Sequence, residues 1–173
     1  TNPIKAFFGE ITSKFIRRKN YPITLINDKI NIDQLLTIHK AMKYPLTYVQ
    51  GPPGTGKTNT IINLIVTAFF NEKTVLVSSY NNHPMNSVYE TMRSIKYEKY
   101  DVLFPIIRLG NNEKVKDSLK EIKEMFLKSR NMTVYDTTLE KNKKTTEENL
   151  SELSDILGKY EEKLDLLERK STI

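Results

Sequence analysis

The sequence predicts an α/β fold in which an incomplete parallel sheet with flanking helices is followed by a helical arm. Apolar runs alternate with amphipathic helical patterns along the middle of the chain, and a glycine-rich loop joins one of these runs to the next helix. Such alternation forms parallel sheets with right-handed crossovers. A leucine seam with heptad spacing near the end predicts the arm. We therefore divide the chain into an amino-terminal helical segment (1–24), an α/β core (25–136) and an arm (137–173).

The glycine-rich loop fits the pattern G-x-x-x-x-G-K-[ST] from Gly51 to Thr58, between the apolar run 46–49 and the helix-like run 61–66. Strand, loop and helix in this order form a P-loop, or Walker A loop. Its glycines let successive N–H groups point at phosphate oxygens, and the helix adds its positive end. Lys57 should reach the β- and γ-phosphates, and the Thr58 hydroxyl should ligate a bridging Mg²⁺. The predicted nucleotide-binding residues are Gly51, Pro52, Pro53, Gly54, Thr55, Gly56, Lys57, Thr58 and Asn59.

Composition sets broader limits on the class of protein. The net charge of +6 suits a polyanion partner, although a solvated surface explains it equally well. The absence of cysteine excludes a disulfide scaffold, a thiolate metal site and a cysteine nucleophile. No apolar run approaches the length of a membrane span, and the start has no signal-peptide pattern. We expect a soluble, cytoplasmic protein without membrane contact, and the ends of the chain suggest an excised piece of a longer one.

The residues before the loop form two helical patterns. Apolar residues at helical spacing predict a helix over 4–16, which Pro22 and the preceding basic residues end. A second helix follows Asn31, with apolar residues from Leu35 to Met42. Asn31-x-x-Gln34 is a variant capping box, in which Gln34 reaches back to the backbone N–H of Asn31. Alternatively, the planar amide of Gln34 could read the N6 and N7 edge of adenine.

Two further strands are predicted after the loop. The β-branched run 74–79 should be a buried parallel strand, and the segment 103–110 should be a third, near an edge. Polar residues follow the first of these, where Pro84 is placed to begin a helix. This loop and the P-loop should share the ligand-binding rim of the sheet. His39 and His83 have no companion ligands, so we expect packing or solvent-facing roles for both.

The carboxy-terminal part changes in character. Apolar residues step by three and four from Leu150 to Leu167 within a strongly charged remainder. A helix with one narrow apolar stripe must pair with something. The partner should be either the predicted helix near 112–130 or a helix of another chain. We expect an arm that projects from the core.

Together, the stretches 31–34, 51–58, 75–88 and 107–113 resemble the first RecA-like motor domain of superfamily 1 helicases, in the branch of the RNA-surveillance and Sen-type enzymes. The paired prolines Pro52 and Pro53 carry the resemblance best. It implies that the loop binds ATP with Mg²⁺ and that Gln34 reads adenine. It also implies that the loop after the second strand contacts single-stranded nucleic acid, and that a helical arm is inserted after the third strand. The residues implied for nucleic acid are Ser79, Asn81 and Asn82, although the stretch 83–86 departs from the usual family pattern.

The family also needs an acidic pair after a strand and arginines from a second motor domain. No Asp-Glu pair follows a strand, and Asp136 and Asp101 are the faint candidates. We therefore expect ATP binding with little hydrolysis, Lys57 and Thr58 being the only catalytic residues of the full enzyme within this chain. Two alternatives stay open. One is another AAA-type P-loop ATPase that acts on protein partners, and the other is a non-catalytic module that pairs through the leucine seam.

Overall fold

The computed structural model describes residues 4–5, 8–9, 21–26, 29–97, 100–102, 104–110, 112–130 and 137–171. Most of the predicted helix 4–16 lies outside these residues. None of the helices described is long and apolar enough to cross a membrane. The two short strands pair antiparallel. In chain order the elements are α1 (Ile32–Lys43), α2 (Lys57–Phe70), α3 (Asn82–Arg93), β1 (Lys96–Tyr97), β2 (Tyr100–Asp101), α4 (Asn112–Arg130) and α5 (Thr137–Ser171).

The predicted parallel α/β sheet is wrong. Within the residues described, the only β-ladder is the two-residue pair of β1 and β2. The stretches 46–49, 74–79 and 104–109 contain no ladder residue, and Tyr48 and Leu76 expose 84% and 81% of their surface. A parallel strand is buried on both faces and bonded to neighbours on both sides. These apolar runs have neither property, so the described part of the chain is mainly helical.

Helix α1 begins at the predicted capping box, which is confirmed. Asn31 Oδ1 accepts from the Gln34 N–H at 2.9 Å, and Gln34 Oε1 accepts from the Asn31 N–H at 3.2 Å. Asp33 in the first turn, and Lys40 and Lys43 in the last, suit the helix dipole. The helix ends at Tyr44, whose extended backbone precedes Pro45 as that proline requires.

Helix α2 begins after Gly56, whose backbone is left-handed with φ 75° and ψ 22°. At its other end, Lys73 N donates to Ala68 O at 2.9 Å and Glu72 N donates to Phe69 O at 3.0 Å. This pair of bonds is the Schellman motif. Glu72 has a φ of 57° at the position that glycine usually occupies. A non-glycine residue therefore carries backbone strain where α2 ends.

Polar side chains on one face of α2 bind an extended segment, residues 21–26. Asn63 Oδ1 accepts from the Ile26 N–H at 2.8 Å, and Asn71 Nδ2 donates to Pro22 O at 2.8 Å. Between them, the Thr67 hydroxyl accepts from the Thr24 N–H and donates to the Thr24 carbonyl. Asn63 and Thr67 are fully buried. We call Asn63, Thr67 and Asn71 the polar ladder. It satisfies buried backbone groups that a neighbouring strand would otherwise satisfy.

The core of this part of the chain combines the extended segment with α1 and α5. Ile23, Leu36, Ile38 and Leu157 form its buried cluster. The partly buried side chains packed against it are Leu25, Ile30, Leu35, Leu64, Leu153 and Leu164. Three residues of the predicted seam thus lie in an intramolecular core. By compactness, residues 1–76 and 141–173 form a first unit and residues 77–140 a second.

A buried ionic cluster also joins α1 to α5. Glu161 accepts a hydrogen bond from Lys43 Nζ at 2.7 Å, and His39 Nε2 lies 3.5 Å from the same oxygen. All three side chains are buried, so the packing role predicted for His39 is confirmed. Burial raises the pKa of Glu161, but hydrogen bonds from Lys43 and Tyr44 outweigh it, so that the pKa falls below the ordinary value. Burial, helped by the charge of Lys43, lowers the pKa of His39. The cluster therefore holds a neutral histidine beside a charged pair.

The second unit contains α3, the β1–β2 pair and the predicted helix α4. Val88 and Met92 of α3 are its buried apolar side chains among those described. Ser118 of α4 is also buried, and its hydroxyl accepts from the Arg108 N–H at 3.2 Å. This bond anchors the segment that leads into α4.

Candidate phosphate-binding site

The loop from Gly51 to Gly56 turns tightly before α2. Gly54 and Gly56 both have left-handed backbones, with φ of 85° and 75°. The Thr55 hydroxyl donates to the Pro52 carbonyl at 2.9 Å, which closes the turn internally. Only glycine adopts such angles without a steric penalty, so Gly56, which the sequence pattern requires, and Gly54, within its variable stretch, both occupy positions that need glycine.

Lys57 and Thr58 are the first two residues of α2, and both side chains are exposed. The Lys57 ammonium folds back over the loop, where it donates to the carbonyl of Gly51 and, at 2.6 Å, to that of Pro52. The helix has no side-chain cap hydrogen bond and no acidic residue in its first turn. The positive end of its dipole therefore adds to the charge of Lys57, an arrangement that attracts an anion.

Gln34 lies against this loop. Its Nε2 donates to the Thr55 carbonyl at 2.9 Å, while its Oε1 serves the capping box of α1. A Cβ added to Gly56 would lie 2.5 Å from Gln34 Nε2. The structure thus brings Gln34 together with the loop, as the sequence predicted, although through Thr55 and Gly56. Its contact with adenine stays a prediction.

Asn59 connects the loop helix to the segment before α1. Its Nδ2 donates to the Lys29 carbonyl at 3.0 Å, and its own carbonyl accepts from Asn63 Nδ2 at 3.0 Å. Asn63 in turn holds Ile26. Asn59 was among the residues predicted from the sequence, whereas Asn63 and the rest of the polar ladder were not. The available signal was a polar residue at every fourth position from 59 to 71 within an otherwise apolar helix.

The residues predicted to contact nucleic acid belong to the second unit. Ser79, Asn81 and Asn82 are exposed, and the Asn81 N–H donates to Ser79 Oγ at 3.3 Å. Asn82 is the first residue of α3, and Asn81 precedes it without a side-chain cap bond. His83 is exposed as expected. The three residues form one short polar turn.

A cavity of about 290 Å³ also lies in the second unit. Three cations line it: Arg93 pairs with Glu121 at 3.1 Å, Arg108 donates to Asn86 at 2.7 Å, and Lys114 is the third. Glu90 and Asp117 add further negative charge to the lining. Cations and anions are balanced here, so the cavity does not form a basic surface for a polyanion.

The described side chains offer few ligands for a metal ion. No cluster of three His, Asp or Glu side chains that could hold a metal ion occurs among the residues described. Asp136 lies outside those residues, and Asp101 is part of β2. The exposed Thr58 hydroxyl beside Lys57 fits a Mg²⁺ that takes most of its ligands from phosphate and water, which is the usual way this ion binds nucleotide. The role of Thr58 as a Mg²⁺ ligand stays a prediction.

The profile of the AAA domain family matches residues 29–172, most of the chain. The chain belongs to the AAA domain family. This AAA domain is 30% identical over 90 residues to RNA helicase aquarius of Mus musculus, covering 51% of the chain and 6% of that protein. It is 28% identical over 122 residues to DNA polymerase alpha-associated DNA helicase A of Saccharomyces cerevisiae, covering 69% and 17%.

An uncharacterized ATP-dependent helicase of Methanocaldococcus jannaschii is 30% identical over 104 residues, covering 59% of this AAA domain and 15% of that protein. The chain thus spans less than a fifth of each of these relatives. No solved structure matches it. The resemblance to superfamily 1 helicases that the sequence predicted is confirmed by this family and these relatives.

Proposed function

We propose that this AAA domain is the ATP-binding part of an ATP-dependent superfamily 1 helicase or helicase-like ATPase. The observation that carries the proposal is the loop itself: two left-handed glycines lead into α2, whose first residue is the exposed Lys57. The relatives named as helicases support the same reading. The Walker A role is thus assigned to residues 51–58, with Asn59 holding the start of the helix in place.

Each group then has a defined task. Loop N–H groups and the α2 dipole bind phosphate oxygens, since both present positive charge to an anion. Lys57 exchanges its two loop carbonyls for the β- and γ-phosphates, because an ammonium binds a charged oxygen more strongly than a neutral carbonyl. Thr58 ligates Mg²⁺, which supplies charge neutralisation at those phosphates. Gln34 retains one amide hydrogen and one lone pair for adenine.

Binding of a fluorescent ATP analogue in the presence of Mg²⁺ tests the proposal. Lys57→Ala should weaken binding by about 10- to 100-fold, the value of one hydrogen bond to a charged group. Lys159→Ala removes the same charge from an exposed site on α5 and should leave the affinity unchanged. An equal loss of affinity in both variants would mean that the net charge of the protein, and not the position of Lys57, decides the binding. An unchanged affinity of Lys57→Ala would overturn the assignment.

We also propose that Ser79, Asn81 and Asn82 contact single-stranded nucleic acid in the whole protein. Their exposure and the absence of acidic residues from the first turn of α3 support this. Substituting Asn81→Asp with Asn82→Asp should weaken salt-sensitive binding of a single-stranded oligonucleotide, because the new carboxylates repel phosphate. Asn142→Asp with Asn149→Asp, which adds the same two charges to the exposed surface of α5, is the matched control. Equal loss in both proteins would argue against a specific contact, and no oligonucleotide binding would favour an ATPase that acts on protein partners.

The alternative of a non-catalytic pairing module has less support. Its seam includes Leu157, which is only 1% exposed and lies in the core with Ile23, Leu36 and Ile38. A side chain in that position stabilises the fold of this chain and is not accessible to another helix. Leu157→Asp should therefore unfold the first unit, because it places a charge in that core.

A further inference from the structure

The side-chain amide of Gln34 bridges two backbone groups that are 24 residues apart in the chain. Oε1 accepts from the Asn31 N–H at 3.2 Å, and Nε2 donates to the Thr55 carbonyl at 2.9 Å. The first bond belongs to the cap of α1 and orients the amide. The cap therefore directs Nε2 toward the phosphate loop, where it donates to the Thr55 carbonyl.

The Thr55 carbonyl belongs to the peptide plane that joins Thr55 to Gly56. In a trans peptide the C=O and N–H of one plane point in opposite directions, and this chain has no cis peptide bond in the residues described. A donor that holds Thr55 O thus also directs the Gly56 N–H away from Gln34. This N–H is one of those that the loop offers to phosphate.

Gly56 leaves room for this contact. Any Cβ at that position would approach Gln34 Nε2 to 2.5 Å, whereas a Cβ at Gly54 meets nothing within 4 Å. The second glycine of the pattern therefore serves both a left-handed turn and the close approach of an amide. Asn59, bonded to the Lys29 carbonyl, ties the following turn of α2 to the segment that precedes α1.

We propose that Gln34 is a positioning residue of the phosphate loop: its amide fixes the Thr55–Gly56 peptide in the orientation that presents the Gly56 N–H to phosphate. This inference rests on the proposed ATP-binding function and adds to it. It predicts that Gln34 contributes to the binding of any ligand with a phosphate chain, whether or not that ligand carries a base.

Inorganic tripolyphosphate, which has no base, separates positioning from base reading. Its Mg²⁺-dependent affinity should fall about two- to tenfold in Gln34→Ala, the range of one neutral hydrogen bond, and ATP affinity should fall at least as much. Thr37→Ala is the matched control. It removes a side-chain hydrogen bond within α1, from the Thr37 hydroxyl to the Asp33 carbonyl at 2.8 Å, but keeps both bonds of the Gln34 amide, so it should leave tripolyphosphate binding unchanged.

A second readout is amide hydrogen exchange of the loop without ligand. Gln34→Ala should accelerate exchange at 54–57 more than Thr37→Ala does, because only Gln34→Ala releases the Thr55 carbonyl. If Gln34→Ala weakens ATP but not tripolyphosphate, Gln34 only reads the base and the positioning role is refuted while the proposed function stands. If the unsubstituted chain binds neither ligand, the proposed function fails, and the inference fails with it.

Discussion

Removing the carboxylate of Glu161 is the sharpest test of how α5 is held to α1. Glu161 is 3% exposed, and its Oε2 lies 2.7 Å from Lys43 Nζ and 3.5 Å from His39 Nε2. The partners are 118 residues apart in the chain. In Glu161→Ala the Lys43 ammonium, itself 6% exposed, loses its only acidic partner within salt-bridge distance among the residues described.

The expected cost follows from that burial. A buried ion pair that loses one member costs about 3–5 kcal/mol, since the other charge stays desolvated. Glu161→Gln keeps an oxygen that accepts from Lys43 but leaves the buried ammonium without an opposite charge, so the cost should be smaller than in Glu161→Ala yet above about 1 kcal/mol. The double substitution Lys43→Met with Glu161→Leu should recover most of the loss, because no buried charge is left alone.

Chemical denaturation followed by far-UV circular dichroism gives the free energy of unfolding, and hydrogen exchange along 153–165 shows whether α5 is the part released. Glu152→Gln, on an exposed turn of the same helix, should change the stability by no more than about 0.5 kcal/mol. A loss below about 1 kcal/mol in Glu161→Ala, or a double variant no better than Glu161→Ala, would refute the reasoning.

Three further outcomes follow from the described contacts. First, His39 and Glu161 have folded-state pKa values below their ordinary ones, so the unfolded chain binds more protons than the folded chain in acid. Thermal melting at a series of pH values should show full stability above about pH 6.5. Stability should decrease below about pH 6.5 because of His39, and decrease further below about pH 4.5 because of Glu161. An acid-independent melting temperature would contradict this. Second, Asn63→Ala removes the acceptor of the partly buried Ile26 N–H and should cost about 1–3 kcal/mol in denaturant unfolding. Third, Glu72→Gly should stabilise by about 0.5–1 kcal/mol in the same assay, because glycine relieves the left-handed strain; destabilisation would mean that the Glu72 side chain makes a compensating contact.

Local features were the part of this fold that the sequence could predict. The capping box of α1 depends on two residues three apart, and the start of α2 on a glycine followed by Lys57. Both are decided within a few residues, so the pattern suffices. The helix predicted near 112–130 and the helix of the leucine seam are likewise present as α4 and α5, because their apolar spacing is long and regular.

Pairing could not be predicted in the same way. A β-branched run such as 74–79 has the composition of a buried strand, but a strand exists only where a second backbone lies beside it. The partner of the leucine seam could not be predicted for the same reason. The sequence suggested the helix near 112–130 or another chain, whereas the seam packs against α1 and the extended segment at 21–26. Which surface covers an apolar stripe is a property of the whole chain, and periodicity describes only the stripe.

In the candidate phosphate-binding site, too, the local features were predictable and the contacts between distant segments were not. The loop residues and Gln34 were named from their types and order, and the structure places them together. The route of that contact, through the Thr55 carbonyl and the space above Gly56, depends on two distant segments meeting. The polar ladder was not predicted, because a helical pattern does not show that Asn63 and Thr67 satisfy the backbone of another segment.

The polar ladder also sets the register of the chain. Its rungs advance four residues along α2 and two along the segment, from Asn63 with Ile26 to Asn71 with Pro22. Four helical residues rise about 6.0 Å and two extended residues about 6.6 Å, so the two repeats nearly coincide and drift apart by only about 1.2 Å over three rungs. The odd-numbered side chain of Ile23 meanwhile points into the core. Deleting one residue between 22 and 26 would break the match between the rungs and would turn the side chains beyond the deletion to the opposite face of the segment. The spacing of alternate residues in the extended segment thus matches the spacing of every fourth residue of α2 over the three rungs that this chain uses.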